Sequence, residues 1–246
     1  MGEKEGGEAV ADQFSRTRML LGGEAMEKLK HARVALIGLG GVGSFALEAL
    51  VRSGIGALEL VDNDVVSLTN LNRQLLALHS TLGLSKVEAA AQRARDINPA
   101  VELRTWPLFV TAQNLDELPL EGCDYIVDAI DTVSAKIALV LRARELGVPI
   151  ISAMGTGNKR DPSALRIADL SETANDPLAR VMRKELRRRG VEHLKVLYST
   201  ELPHTEEEGE ETKGDPPRPV PGSTAFVPPS AGLMIAAEVV REIVEK

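Results

Sequence analysis

The chain has 246 residues, of which 43% are hydrophobic, enough for one large α/β domain or two small ones with a sizeable core. The formal charge is −7, but residues 201–215 hold seven acidic residues against one lysine, so the acidic balance says little about partners. A single cysteine, Cys123, excludes an intrachain disulfide and, with four scattered histidines, argues against zinc. The sequence shows neither a signal-peptide pattern nor a membrane-spanning apolar run, so we expect a cytoplasmic protein without membrane association.

The hydrophobic pattern alternates between strands and helices, whereas residues 1–12 are rich in Gly and Glu and predict a disordered terminus. A first helix is predicted at about 23–30. The strands predicted in the first two-thirds of the chain are 34–37, 57–61, 101–106, 125–127 and 148–152. Because these strands are almost continuously apolar and alternate with helices, they indicate an α/β fold with a doubly wound, Rossmann-like, mostly parallel sheet.

The helices between these strands carry signals at their ends. The helix after the first strand should end at Ser53 and Gly54, because glycine tolerates a left-handed C-cap. Ser85 and Glu88 match a capping box, which predicts the start of a helix that runs to about residue 98. A third helix is predicted at 135–146.

The pattern changes beyond residue 153, so we expect one domain at 13–246, with a core at 32–153 and a C-terminal extension at 154–246. The acidic, proline-rich residues 203–224 predict a mobile loop. The extension has predicted strands at 165–168 and 196–198 and predicted helices at 177–189 and 231–246. The stripe expected to face the core from the last helix consists of Leu233, Ala237, Val240 and Val244.

A glycine motif, Gly38-x-Gly40-Gly41-x-Gly43, follows the first strand and opens a helix. Glycines let the backbone approach a phosphate closely, and the helix N-terminus adds partial positive charge. Asp62 ends the second strand, where a carboxylate can accept hydrogen bonds from ribose hydroxyls. The motif and the aspartate together predict a nucleotide site.

The same fingerprint fits a nicotinamide dinucleotide, so the residues after the second strand decide which nucleotide binds. Asn70, Arg73 and Gln74 lie in one short segment, and Lys86 follows it. Arg73 offers a bidentate fork to phosphate oxygens, and Lys86 offers a point charge. Two such cations favour a triphosphate, although the composition alone leaves open that both are solvated surface charges.

Asp128 and Asp131 follow the fourth strand, at the sheet edge where open α/β folds bind ligands. Asp131 is a candidate Mg²⁺ ligand. Asp128 is expected to orient either the metal or the neighbouring loop. An aspartate beside Thr132 can also simply cap the next helix, and this alternative stays open on the motif alone.

Taken together, these blocks resemble the adenylation domain of E1-like enzymes, the superfamily of ubiquitin-activating and sulfur-carrier-activating proteins. The resemblance implies an E1-like adenylation fold, ATP with Mg²⁺, attack of a substrate carboxylate on the α-phosphate, and a homodimer. It implies that Asp62 binds ribose, that Arg73 and Lys86 hold phosphates, and that Asp131 serves the metal. The remaining residues that it assigns to the nucleotide are Gly38, Gly40, Gly41, Gly43, Asp64, Asn70, Gln74 and Asp128.

Arg18 matches the N-terminal arginine that reaches the partner subunit's ATP in relatives. The resemblance therefore implies an arginine finger that acts across the dimer. An exposed arginine without a catalytic role is the alternative.

The C-terminal blocks 155–162, 176–180 and 198–203 resemble the tRNA threonylcarbamoyladenosine dehydratases, a branch of the same superfamily. This resemblance implies that ATP activates the carboxylate of the modification at adenosine 37 of tRNA. The ureido group of the same modification then displaces AMP, which gives a cyclic product. Such an enzyme needs no thiol, in agreement with the one cysteine, which we expect to have a packing role.

A tRNA substrate requires positive surface, and residues 180–195 provide it with seven basic residues against two acidic ones. A solvated helix face is the structural alternative. The predicted RNA-binding residues are Arg180, Arg183, Lys184, Arg187, Arg188 and Arg189.

Three other functions remain as alternatives. A sulfur-carrier adenylyltransferase shares the superfamily, although it typically needs the cysteines that are missing here. A nicotinamide dehydrogenase would not need the cations after the second strand. A non-catalytic nucleotide-sensing or tRNA-binding module would not need the full set of phosphate and metal residues. Whether a sulfur-transfer protein is a partner is left open.

Overall fold

The computed structural model describes residues 11–205, 212–213 and 218–246, so most of the predicted disordered terminus and part of the predicted loop at 203–224 lie outside it. Seven strands form one sheet in the order β3-β2-β1-β4-β5-β7-β6. All neighbours are parallel except β6 and β7. The strands are β1 (Arg33–Ile37), β2 (Ala57–Val61), β3 (Glu102–Trp106), β4 (Tyr125–Asp128), β5 (Ile150–Ala153), β6 (Leu165–Asp169) and β7 (Lys195–Ser199). The α/β, mostly parallel, doubly wound sheet is thus confirmed.

The helices match the predictions to within a few residues, with two exceptions. The helix at Ser15–Leu21 was not predicted, and the last helix begins at Val227, four residues earlier than expected. The helices are α1 (Ser15–Leu21), α2 (Gly23–His31), α3 (Gly43–Ser53), α4 (Lys86–Ile97), α5 (Val133–Leu146), α6 (Pro177–Arg187) and α7 (Val227–Glu245). Within the described part of the chain, no helix has the length and apolar content that a membrane span requires.

A second, two-stranded sheet pairs β8 (Thr212–Lys213) with β9 (Arg218–Pro219). It lies within residues 203–224, which the sequence predicts as a loop.

The strand order reverses between β1 and β4. The chain leaves β1 towards β2 on one side and later returns to β4 on the other, so the connections at their carboxyl ends diverge. In open α/β sheets this divergence creates the crevice in which ligands bind. The loops after β1 and β4 therefore define the place to look for a site.

Helix α7 packs along α3, and one glycine sets their distance. A Cβ atom at Gly232 would lie 2.2 Å from the Val42 carbonyl oxygen, so no other residue fits there. This approach turns Ala231, Ile235 and Val239 into the core, whereas Leu233 is 47% exposed. The predicted stripe is therefore wrong for Leu233 and Ala237, which are exposed, whereas Val240 and Val244 are half-buried and pack against the core as predicted.

The predicted capping box at α4 is also wrong. The Ser85 side chain makes no cap hydrogen bond. Its backbone instead forms an isolated bridge with Val65, and the Lys86 amide donates to the Asp64 carbonyl oxygen over 3.0 Å. The backbone of the preceding segment thus satisfies the start of the helix without a side-chain cap.

Candidate nucleotide site at the carboxyl edge

The glycine motif lies directly against the loop that follows β4. Gly38 has a left-handed backbone with φ +95°, and a Cβ atom there would lie 2.6 Å from the Ala129 carbonyl oxygen. A Cβ atom at Gly43 would lie 1.8 Å from the Gly38 carbonyl oxygen. Helix α3 begins at this point, and its N-cap residue, Val42, has no side-chain acceptor. The backbone is thus bare at a helix N-terminus, which is a setting that binds anions.

Asp62 is fixed at the end of β2 by two backbone amides. Its Oδ2 accepts from the Leu39 amide over 2.7 Å, and its Oδ1 accepts from the Asp64 amide over 2.8 Å. Burial raises the pKa of this carboxyl, and the nearby Lys86 ammonium opposes that rise. The structure therefore holds the predicted ribose-binding carboxylate in one orientation beside the glycine motif.

Lys86 is a buried cation between two carboxylates. Its Nζ lies 2.9 Å from Asp64 Oδ2 and 4.0 Å from Asp62 Oδ1. The attraction of the two carboxylates offsets the free energy of removing the ammonium from water, which an unpaired buried ammonium would bear in full. The contacts of Lys86 in this structure therefore orient Asp62 and Asp64, while its predicted contact with phosphate stays a prediction.

Arg73 is a cation of a different kind. Its Nη1 donates to the Thr69 carbonyl oxygen over 2.8 Å and to Asn72 Oδ1 over 2.9 Å. Its Cγ lies 3.4 Å from the position of a Cβ atom at Gly41. No carboxylate among the described residues pairs with it, so its charge is left for an anion at the glycine motif.

Two buried amides complete this side of the site. Asn70 Oδ1 accepts from the Ser67 amide over 3.2 Å, which shapes the turn before Arg73. Gln74 is only 7% exposed, and its Nε2 lies 3.9 Å from the position of a Cβ atom at Gly40. Its Oε1 has no hydrogen-bond partner within the described part of the chain. A buried amide with an unmet hydrogen bond beside a bare glycine loop fits a polar ligand in the crevice.

Asp128 does not have the position that the sequence suggested for a nucleotide ligand. It is fully buried, and its Oδ2 lies 3.0 Å from Lys136 Nζ and 2.5 Å from Ser152 Oγ. Its Oδ1 accepts from the Ile130 amide over 3.2 Å, and Lys136 donates to the Ile130 carbonyl oxygen over 3.0 Å. Full burial argues against the direct nucleotide contact that the resemblance implies, whereas these contacts agree with the other expectation, that Asp128 orients the neighbouring loop.

Asp131 lies exposed on that loop. The Thr132 hydroxyl donates to Asp131 Oδ1 over 3.3 Å. Across residues 11–205, 212–213 and 218–246, no three His, Cys, Asp or Glu side chains form a group that could hold a metal. The predicted role of Asp131 as a Mg²⁺ ligand therefore stays a prediction.

Arg18 is not brought to the crevice of its own chain. It lies on α1 and pairs with Asp12, with Nη2 and Oδ2 2.7 Å apart. The next two residues on α1, Met19 and Leu20, are 87% and 85% exposed. The structure thus places Arg18 beside an apolar surface rather than beside the other predicted site residues.

Comparison with known proteins gives this arrangement a family. The model of the ThiF family matches residues 14–246. The chain belongs to the ThiF family. It is 42% identical over 241 residues, 95% of each chain, to the tRNA threonylcarbamoyladenosine dehydratase of Bacillus subtilis (strain 168). The predicted membership in the E1-like superfamily is thus confirmed.

Two further relatives bear on the site. The crystal structure of the Escherichia coli tRNA N6-threonylcarbamoyladenosine dehydratase TcdA in complex with ATP is similar over 96% of this chain and 97% of that chain. The TM-score is 0.85 and the identity 32%. An adenylyltransferase and sulfurtransferase of Vanderwaltozyma polyspora is 39% identical, but over only 58% of this chain and 32% of its own length. The dehydratases therefore match both the core and the extension, whereas the sulfurtransferase matches little more than half of the chain.

Helix α6 of this ThiF-family chain divides its charges into two groups. Its buried side consists of Ala179, Met182 and Leu186. Arg188 and Arg189, just beyond its end, pair with Glu185 at 2.9 and 2.8 Å. The other four predicted RNA-binding residues share one helical face and pair with no carboxylate among the described residues: Arg180, Arg183, Lys184 and Arg187. The unpaired charge is thus on the helix itself.

Two residues show what the sequence could and could not reveal. Lys136, which sequence reasoning missed, lies on the same α5 stripe as Leu139, Val140 and Ala143, and a cation on an apolar stripe was the available signal. Cys123 is buried, and burial raises the pKa of its thiol to about 12. Its thiol therefore stays protonated and is unsuited to act as a nucleophile.

The Asp128–Lys136 pair gives a stability prediction. Lys136→Met should lower the free energy of unfolding by about 3–5 kcal/mol, because it leaves the Asp128 charge buried without a counterion. The double variant Asp128→Asn with Lys136→Met should recover much of that loss, because no charge remains. Chemical denaturation of both variants checks this, and equal losses in the single and double variants would contradict the pairing.

Proposed function

We propose that this chain is an ATP-dependent tRNA threonylcarbamoyladenosine dehydratase, which adenylates the carboxylate of N6-threonylcarbamoyladenosine at position 37 and lets it cyclise. The observation that carries the proposal is the crevice between β1 and β4, where a bare glycine loop meets the unpaired charge of Arg73 and the unmet amide of Gln74. The similarity to dehydratases over almost the whole chain supports the substrate.

In the first step, an oxygen of the substrate carboxylate attacks the α-phosphorus of ATP. The bond between the α-phosphorus and the oxygen that links it to the β-phosphate breaks, and pyrophosphate leaves. Negative charge grows on the oxygens around the bond that breaks, so fixed donors there lower the barrier. The backbone amides of the glycine loop, Arg73 and Lys86 are the groups that we assign to this task, with Asp62 and Asp64 on the ribose side and Asn70 and Gln74 on the phosphate side.

We further propose that Asp131 holds Mg²⁺ when ATP binds. It is the exposed carboxylate on the loop after β4, and that loop packs against the glycine motif. The ion would neutralise phosphate charge. The buried Asp128–Lys136 pair keeps this loop, and with it Asp131, in place.

In the second step, the ureido group of the same modification attacks the carbonyl carbon of the acyl adenylate. The bond to AMP breaks, the attacking group loses its proton, and the ring closes. The nucleophile belongs to the substrate, so the enzyme needs no thiol. The buried, protonated Cys123 is consistent with this chemistry and argues against a thiol-dependent sulfur-carrier activator.

We also propose a cytoplasmic homodimer in which Arg18 reaches the partner's ATP. Arg18 makes no contact with its own crevice, and the exposed Met19 and Leu20 beside it provide an apolar surface for a second subunit. Whether a sulfur-transfer protein is a further partner stays open, as it is on the sequence.

The function is tested by nucleoside mass spectrometry. Modified tRNA incubated with the enzyme and ATP should yield a nucleoside lighter by one water, together with AMP and pyrophosphate. Unmodified tRNA is the control, because it has no carboxylate to activate. Pyrophosphate exchange driven by a small sulfur-carrier protein, without any change in the modified tRNA, would favour the adenylyltransferase instead.

The metal role of Asp131 gives a kinetic prediction. Asp131→Ala should slow adenylation by around 100-fold, the size expected for loss of one key electrostatic group. Asp131→Asn keeps the shape of the side chain and should be nearly as slow, because the charge is what is lost. Pyrophosphate release measured over a range of Mg²⁺ concentrations checks this, and near-normal rates in both variants would rule the role out.

The role of Arg18 across the dimer can be tested by mixing variants. Arg18→Ala and Arg73→Ala should each be inactive, whereas a mixture of the two should regain part of the activity, because some mixed dimers contain one complete site. Arg73 suits this test better than Lys86, since it has no carboxylate partner among the described residues whose charge would be left unbalanced. No recovery after confirmed subunit exchange would place both arginines in the same chain's site.

The basic face of α6 gives a salt-dependence prediction. Arg183→Gln with Arg187→Gln should weaken tRNA binding and reduce the slope of log K against log salt by about 2, one for each phosphate that the variant no longer neutralises. Arg188→Gln with Arg189→Gln is the matched control, because Glu185 already pairs with both. Equal changes in the two double variants would mean that net charge, not this face, attracts the RNA.

A further inference from the structure

Phe226 is an aromatic residue that the reaction described above leaves without a role. The chain has seven aromatic residues, and two of them are strongly exposed in the described part: Phe226 at 61% and Phe109 at 52%. Phe226 directly precedes α7, which begins beside the glycine motif. An exposed aromatic side chain two residues from Pro228, which packs on the glycine motif, is a candidate for contact with a base.

Phe226 belongs to a segment, residues 221–228, that we call the crossing segment. Its first part is tied to the loop after β5. The Asn158 amide donates to the Gly222 carbonyl oxygen over 2.7 Å, and the Gly222 amide donates to Asn158 Oδ1, also over 2.7 Å. Asn158 itself has a left-handed backbone with φ 57°.

The other part of the crossing segment is tied to the phosphate side of the site. Asn72 Nδ2 donates to the Ser223 carbonyl oxygen over 3.0 Å, one residue before Arg73. The Cβ atom of Pro228 lies 3.0 Å from the position of a Cβ atom at Gly41. Because β4 lies between β1 and β5 in the sheet, the crossing segment spans the sheet edge at which Asp131 follows β4.

The covalent length of the substrate limits where its purine ring can lie; this step depends on the proposed function. Four bonds join N6 of the adenosine to the carboxyl carbon of the threonylcarbamoyl group, a path of about 6 Å at most. That carboxylate must reach the α-phosphorus at the glycine motif. Phe226 lies two residues from Pro228, so its Cα is within about 7 Å of the Cα of Pro228, the residue whose Cβ packs on the motif.

We propose that Phe226 stacks on the purine ring of the modified adenosine and so holds its carboxylate towards the glycine motif. An adenosine in a single-stranded loop of RNA can leave its stack and offer a free face to an aromatic side chain. The face of a purine stacks on such a side chain without hydrogen-bond donors or acceptors. Phe226 is then a substrate-binding residue that selects a base, whereas α6 binds phosphates.

The test compares Phe226→Ala, Phe226→Tyr, Phe226→Leu and wild type in conversion of modified tRNA. Phe226→Ala should lower kcat/KM for the modified tRNA by about 10-fold or more, the scale expected when a base–aromatic stack is removed. Its affinity for ATP should stay unchanged. Phe226→Tyr should keep a kcat/KM close to that of the wild type, whereas Phe226→Leu should lose as much as Phe226→Ala. Leu233→Ala, which removes another exposed apolar side chain from the same part of the chain, is the control and should behave as wild type.

The outcomes separate this inference from the proposed function. No conversion by the wild type overturns both. Conversion by the wild type and by Phe226→Ala at equal efficiency overturns only the stacking role. Full rescue by Phe226→Leu overturns it too, because an aliphatic side chain packs but does not stack. A loss of activity accompanied by dissociation into monomers, measured by light scattering, would assign Phe226 to a subunit contact instead.

Discussion

The site depends on one close contact, the packing of the glycine loop backbone against the loop after β4. A side chain at Gly38 would meet the Ala129 carbonyl oxygen, so the loops after β1 and β4 fit together only because that residue has none. The glycine amides and Asp131 are thereby held in a fixed relation, although they come from positions about 90 residues apart in the sequence. The Asp128–Lys136 pair beneath the second loop contributes geometry more than net stability, because burying two charges costs about as much as their attraction returns.

The two cations of the site are held in different ways, and this difference decides what each can do. Lys86 lies between Asp62 and Asp64, so the three side chains together carry a net negative charge. Arg73 is held by a carbonyl and an amide oxygen, which leave its charge uncompensated. In the proposed site, Arg73 and the start of α3 therefore offer a phosphate an uncompensated charge, whereas the charge of Lys86 reaches it only together with those of Asp62 and Asp64. A carboxylate-rich crevice of this kind also favours a nucleotide that arrives with a divalent cation.

The sequence predicts features that local pattern determines, and it fails where tertiary packing chooses between equal patterns. The strands around the glycine motif and the left-handed cap at Gly54 depend on residues that are neighbours in sequence, and they are found as predicted. The stripe of α7 is found only in part: Val240 and Val244 pack against the core, but the close approach of α3 at Gly232 leaves Leu233 exposed. Asp128 and Asp131 have the same residue type and lie three residues apart, but only the fold tells which one is buried. The partner that settles the role of Asp128, Lys136, is recognisable as a cation on an apolar stripe, but its contact is visible only in three dimensions.

Charge and covalent length select the substrate at different levels. Phosphate contacts carry no sequence information, so the RNA contact proposed for the face of α6 would on its own give affinity without choice. In the same proposal, the crevice adds selectivity through distance. A carboxylate reaches the glycine motif only if a linker of the right length joins it to the nucleobase. In the proposed binding mode, Phe226 on the crossing segment fixes the other end of that linker. A chain with seven aromatic residues can then recognise one modified nucleoside with a single stacked contact, because the carboxylate that reacts is itself part of what is recognised.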